Sequence, residues 1–120
     1  MHIYATRSSV AAGDDADAPH GKLFLFPAET SVEGAIERIV ESGYLASISG
    51  GKATWSAVSG FPIAVVAQQW TKPRPVGWQP VETSSVQRKA EVIHLHFNYH
   101  AQLDPETVLE VLKRLKLSAL

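Results

Sequence analysis

The chain contains no cysteine among its 120 residues. This absence excludes disulfide bonds, thiolate catalysis and cysteine-based zinc or iron–sulfur sites. Long apolar runs are also missing. The first residues lack the apolar stretch of a signal peptide, and no segment approaches the length of a membrane span. The sequence therefore predicts a cytoplasmic protein with no membrane contact.

An excess of charge of either sign is missing as well. The chain has 11 Lys and Arg against 12 Asp and Glu, for a formal net charge of -1. Without a basic field to attract phosphate backbones, nucleic acid is not an expected partner. Apolar residues make up 45% and charged residues 19%, which excludes disordered and fibrous classes. The length fits a single domain spanning residues 1–120.

Hydrophobic periodicity predicts six strands, over residues 3–7, 22–26, 44–49, 52–58, 61–70 and 92–100. Two amphipathic helices accompany them. The first begins at Thr30, which is followed by Glu33 in a capping-box pattern, and the second is capped by Asp104 and opened by Pro105. The predicted apolar stripes are Val32, Ala35, Ile36, Ile39 and Val40 in the first helix and Val108, Leu109, Leu112 and Leu115 in the second. The element order is β-β-α-β-β-β-β-α. We expect an α+β, two-layer fold, with a mainly antiparallel sheet of five to six strands and both helices on one face.

Two short turns, Gly50-Gly51 and Ser59-Gly60, separate the middle strands and set their register. We name the two sides of the sheet by the strand they share: face A carries Thr54 and Ser56, and face B carries Trp55 and Ala57. Face B is almost wholly apolar and is the expected core. Ile63 and Val65 are assigned to face A, where two apolar side chains need cover. A second copy of the chain is the simplest cover, so a homo-oligomer, most simply a dimer, is expected.

The last strand carries the nearest approach to a chemical site. Its residues alternate strictly, which places His94 and His96 together on face A. Their Cα atoms are then roughly 6.6 Å apart, close enough for two imidazoles to reach one transition-metal ion such as zinc. The sequence shows no complete ligand set, because the third ligand would have to come from elsewhere, with His2, His20 and the aspartates of the acidic loop 13–17 as candidates. No cofactor is therefore expected, and a zinc site at His94 and His96 is the alternative.

Residues 71–89 show no periodicity and form a long irregular loop, of the kind that often binds partners or covers sites. Trp78 lies within it. Its large apolar ring needs cover from the core, from face A or from a partner.

These observations favour a small binding or interaction protein, accessory, inhibitor-like or regulatory, over an enzyme. It would act on a protein partner or small ligand through the helix-free face and the 71–89 loop. The predicted face consists of Thr54, Ser56, Ile63, Val65, His94, His96 and Trp78. The alternative is a small enzyme or ligand-binding domain with a pocket around His94 and His96, with or without a metal.

Overall fold

The structure is a computed structural model that describes residues 1–10, 18–46, 50–76, 88–89 and 92–118. It contains seven strands and two helices within those ranges. The strands are β1 (His2–Arg7), β2 (Lys22–Leu25), β3 (Thr54–Ser59), β4 (Phe61–Ala67), β5 (Arg74–Pro75), β6 (Arg88–Lys89) and β7 (Val92–Tyr99), and the helices are α1 (Val32–Glu41) and α2 (Pro105–Ser118).

All seven strands belong to one sheet. Its order is β2-β1-β7-β3-β4-β5, and β6 pairs with β7. Every pairing is antiparallel except β1 with β7, which is parallel. The predicted α+β class with a mainly antiparallel sheet is therefore confirmed.

The predicted strand over residues 44–49 is not formed in its described part, residues 44–46. Gly50 and Gly51 do have positive φ angles, of 91° and 68°. The expected hairpin cannot form along β3, however, because β3 already pairs with β4 on one edge and with β7 on the other. A strand has only two hydrogen-bonding edges, so no third neighbour can join it.

Helix α1 covers face B. Its buried apolar residues are Val32, Ala35, Ile36 and Ile39, and the fifth residue of the predicted stripe, Val40, is partly buried. The stripe packs in one cluster with inward residues of the central strands, and the large members of that cluster are Trp55, Ile3, Ile93, Leu95 and Phe97. Ser31 caps the helix by accepting a hydrogen bond from the Gly34 N–H at 3.0 Å.

Helix α2 lies on the other side of the sheet, on face A, so each face carries one helix instead of both helices sharing one. Val108 and Leu109 form a cluster with Val65 and Val76. The neighbouring residue Val66 belongs to the α1 cluster, and adjacent residues of a strand point to opposite faces. The turn at residues 100–104, in which Ala101 has a φ of 54°, brings the chain from β7 onto face A. An amphipathic stripe predicts that a helix packs on a sheet, without specifying which face it covers.

Ile63 differs from the expected face. Ala57 pairs with Ala64, but the next residue, Val58, pairs with Pro62, so Ile63 is an extra residue in β4. Such a bulge reverses the alternation on one side of it. Ile63 is consequently buried in the cluster beneath α1, on face B, whereas Val65 stays on face A beneath α2.

Two short strands, β5 and β6, lie within the described parts of the segment 71–89. β5 pairs with β4. β6 pairs with the beginning of β7, near Val92, where β3 does not reach. Residues 77–87, including Trp78, lie outside the described residues. Neither described helix combines the length and apolar character needed to cross a bilayer.

Candidate functional site

Strand β7 presents its histidines on face A. Ile93, Leu95 and Phe97 are buried on face B, and the alternating residues His94, His96 and Asn98 are only partly buried. Helix α2 packs over β4 and over Val76, the residue that follows β5. Among the described residues, the part of face A on β7, β1 and β2 is uncovered, and its side chains Tyr4, Leu23 and Leu25 are exposed. We call these three strands on face A the open half. Its histidines therefore lie on the surface that α2 leaves free.

Tyr4 positions the first histidine from the neighbouring strand. The parallel register places Tyr4 beside His94, and the two rings meet edge to face with centroids 5.8 Å apart. The Tyr4 hydroxyl lies against Gly21, where an added Cβ atom would clash with that oxygen. Gly21 is therefore the residue that allows the tyrosine ring to lie across this part of the sheet.

Thr6, also on β1, positions the second histidine through a hydrogen bond. Its Oγ1 atom lies 2.6 Å from Nδ1 of His96. Desolvation by burial lowers the pKa of His96 below the usual 6.5, so the imidazole is neutral at pH 7. A neutral ring bonded at Nδ1 keeps Nε2 free for another partner.

These side chains surround a shallow pocket of about 250 Å³. Its floor and walls are formed by Tyr4, Thr6, Val58, Gly60, His94, Leu95 and His96. No carboxylate or ammonium group is among these lining residues, so the pocket suits a small ligand bound by hydrogen bonds and ring contacts. The structure thus brings His94 and His96 together as the alternation indicates.

A third metal ligand does not join them in the described part of the chain. No group of three or more His, Cys, Asp or Glu side chains there is arranged to hold a metal ion. His20 lies elsewhere, with its Nε2 atom 3.3 Å from Ser9 Oγ. His2 is exposed on face A at the start of β1. The acidic residues at positions 14, 15 and 17 lie outside the described residues.

His100 belongs to a different environment, at the turn that leads into α2. Its Nε2 atom lies 2.8 Å from Ser56 Oγ, and burial lowers the pKa of this histidine too. A serine beside a neutral histidine is the beginning of a nucleophilic pair. Ser56 is only 2% exposed, however, so its hydroxyl is not accessible to a substrate. This contact fixes the turn against β3.

Three further bonds fix the same turn. Thr54 Oγ1 donates to the Leu103 carbonyl at 2.7 Å, the Thr54 N–H donates to Ala101 at 3.0 Å, and the His100 N–H donates to Thr54 at 2.8 Å. Thr54 is fully buried as a result. With Ile63 and Val65 also buried, these side chains are not available to a partner in the folded protomer. The burial also removes the reason for expecting a dimer through Ile63 and Val65.

A second concave surface runs along α2, on its β7 side. It has a volume of about 410 Å³ and is lined by His100, Leu103, Asp104, Thr107, Val108, Val111 and Leu112. We call it the α2 groove. Glu106 reaches the opposite flank of the helix, where it pairs with Arg74 of β5 at 3.5 Å. The groove therefore opens toward the open half of face A.

The α2 groove was not predicted. The sequence-based stripe of the last helix includes Leu115, which is 60% exposed, and omits Val111, which is 50% exposed and lines the groove. The available signal was the excess of apolar residues in this helix: Val108, Leu109, Val111, Leu112 and Leu115 form a stripe too wide for one contact surface.

Comparison with known proteins gives no relative. No protein-family model, no curated protein and no solved structure matches the chain. The geometry of these surfaces is therefore the basis for inferring a function.

Proposed function

We propose that this protein is a small binding protein that acts by docking a helix of a protein partner beside α2. The observation that carries the proposal is the α2 groove, whose exposed members Leu103 and Val111 are large apolar side chains. Exposed apolar surface in a concave setting is typical of protein recognition sites. The sequence-based prediction of a binding protein is retained, with the docking surface moved to the groove and the open half.

The dimensions of face A support a helical partner. Six strands spaced about 4.8 Å apart span about 24 Å, whereas one helix is about 10 Å wide. Helix α2 occupies the part above β4 and β5. The remaining width, above β7, β1 and β2, is sufficient for one more helix at the usual interaxial distance of 8–10 Å. One flank of a helix in that position would contact the α2 groove. The side of the helix that faces the sheet would contact His94 and His96.

The chemistry of the surface favours one kind of partner. Leu103 and Val111 require an apolar stripe on the docked helix, as in other helix-in-groove complexes. Asp104 and Glu110 lie on the exposed side of α2 next to Val111, and Glu110 pairs with Arg114 at 3.5 Å. We therefore infer an amphipathic partner helix whose apolar stripe is flanked by Lys or Arg.

The test uses a fluorescent, stapled 14-residue helix with leucines at i, i+3, i+4 and i+7 and lysines at the flanks, next to a scrambled version. We expect saturable binding in the micromolar range for the patterned peptide only, which corresponds to about -8 kcal/mol. Val111→Asp should weaken it at least about tenfold, because a charge then enters the apolar contact. Phe61→Asp is the matched control, since Phe61 is an apolar residue of β4 that is 42% exposed, against 50% for Val111, and lies outside the groove and the open half. Equal binding of both peptides, or equal losses in both variants, contradicts the proposal.

The alternative function is a ligand-binding domain or small enzyme that uses the pocket around His94 and His96. The convergence of Tyr4, Thr6 and both histidines on one pocket favours it. Native mass spectrometry and metal analysis of the purified protein distinguish the two functions. A stoichiometric small molecule or zinc ion, lost in His94→Ala and His96→Ala, supports the pocket.

A cytoplasmic location and a homodimer also remain proposals, and the dimer needs a surface other than Ile63 and Val65.

A further inference from the structure

Strand β2 ends the sheet on one side. It pairs with β1 along one edge, and within the described residues no element pairs with its outer edge. The two side chains of β2 that lie on face A are those of Leu23 and Leu25, which are 53% and 66% exposed. An apolar strand with an unpaired edge readily pairs with another chain.

The hydrogen-bonding pattern determines which backbone groups face outward. Met1 and Phe26 exchange both bonds: the Phe26 N–H donates to Met1 at 2.8 Å, and the Met1 amino group donates to Phe26 at 2.7 Å. Bonded and non-bonded pairs alternate along an antiparallel ladder. Phe24 therefore also bonds to β1, and the backbone groups of Leu23 and Leu25 point away from the sheet.

The side chains of this edge offer few of the devices that usually protect a sheet edge. Leu23 and Leu25 lie on face A, opposite Tyr4 and His2 of β1. On face B, the rings of Phe24 and Phe26 stack with centroids 6.4 Å apart. Lys22 is the one charged residue of β2, and its ammonium group already lies 5.1 Å from the centre of the Phe24 ring.

We propose that β2 pairs antiparallel with β2 of a second copy, about a two-fold axis at Phe24. In this register Leu23 lies opposite the partner subunit's Leu25, and each leucine exchanges both outward hydrogen bonds with the other. The leucines of both copies then meet on face A, and the two Phe24 rings meet on face B. The sheet continues across the dimer.

The charge pattern favours a second copy as the occupant of this edge. The register places Lys22 opposite the partner subunit's Phe26, so no two lysines face each other and a cation–π contact becomes available. Each outward N–H and C=O group of Leu23 and Leu25 also meets a hydrogen-bonding group of the second copy, as a self-complementary two-fold interface requires. The dimer is independent of the α2 groove, which lies on the far side of the open half.

The dimer should be weak. A four-residue strand buries less than the roughly 800 Å² per partner of a standard stable interface, so we expect a micromolar or weaker dissociation constant. Sedimentation velocity over a wide concentration range should show the 13.0 kDa chain converting to twice that mass. The double variant Leu23→Lys/Leu25→Lys should raise the dissociation constant at least about tenfold, since like charges would meet across the axis.

Two controls make the test specific. Val111→Lys changes an apolar residue of similar exposure on α2 and should leave the dimer intact while it weakens binding of the helical peptide. Hydrogen exchange tests the register in the unchanged protein. The amides of Leu23 and Leu25 should become protected as concentration rises, while that of Phe24 is protected throughout by its bond to β1. A monomer at every concentration, or a dimer in which the two leucine amides stay unprotected, overturns the proposal.

Discussion

His100 illustrates how one partly buried residue couples the fold to pH. Its imidazole lies against Ser56, in the turn that joins β7 to α2, and burial lowers its pKa. His96 has a lowered pKa for the same reason, beside Thr6. Both histidines therefore bind protons more readily in the unfolded chain than in the native protein.

This difference predicts a loss of stability in mild acid. Where the unfolded state binds more protons, the free energy of unfolding falls as pH decreases. The stability contributed by neutral His96 and His100 is fully present above pH 6.5, the unfolded value, and is lost as pH falls toward their lowered native values. Urea unfolding at pH 7.5 and pH 5.5 should give a lower free energy at pH 5.5.

The matched variant for this prediction is His96→Gln/His100→Gln. Glutamine keeps a polar side chain at each position but does not titrate. The double variant should therefore show a smaller difference between the two pH values than the unchanged protein. An undiminished difference would show that other groups cause the pH dependence.

Single residues were predictable where a simple period holds. The alternation of β7 correctly indicates that Ile93, Leu95 and Phe97 are buried, because a regular strand turns every second side chain inward. Ile63 was assigned to the wrong face, since the bulge beside Val58 adds a residue to β4. Pro62, which pairs with Val58 at this bulge, is the local signal, because proline within a sheet is found mainly at edges and bulges.

At the scale of elements, the start of α1 offers a direct test of local structure. The capping-box pattern points to Thr30, but the described cap is Ser31, whose hydroxyl accepts the Gly34 N–H. Ser31→Ala should cost about 1 kcal/mol, the usual loss for a removed N-cap. Thr30→Ala removes a similar hydroxyl one residue earlier and should cost clearly less. Thermal and urea melts of both variants check the difference, and equal losses would contradict the assignment.

The position of α2 could not be predicted from its own sequence. Its apolar stripe is equally suited to either side of the sheet. The deciding contacts come from the turn at residues 100–104, where Thr54 and Ser56 bind Leu103 and His100. These contacts join residues more than 40 positions apart. Periodicity describes one element at a time and carries no information about such pairs. For the same reason the α2 groove, formed by the turn together with the helix, escaped prediction.

At the scale of the whole molecule, two apolar clusters on opposite faces share one sheet. Val65 belongs to the α2 cluster and Val66 to the α1 cluster, although the two residues are adjacent in β4. Neither helix can leave without exposing one side of the same strand. A single core strand that serves both clusters should make their unfolding cooperative, as expected for one domain of this size.

The last prediction follows from this shared strand. Ile36→Ala on α1 and Leu109→Ala on α2 each remove buried apolar contacts, and each should destabilise the protein by about 2–5 kcal/mol. Because both clusters depend on β4, each variant should lower the midpoint of one common transition, with far-UV circular dichroism and hydrogen exchange of β3 and β7 giving the same free energy. Val111→Ala, at an exposed position of α2, should change stability by less than about 0.5 kcal/mol. If Leu109→Ala instead produced a separate early transition while the β3 and β7 amides kept their protection, α2 would be an independent unit packed on a stable sheet.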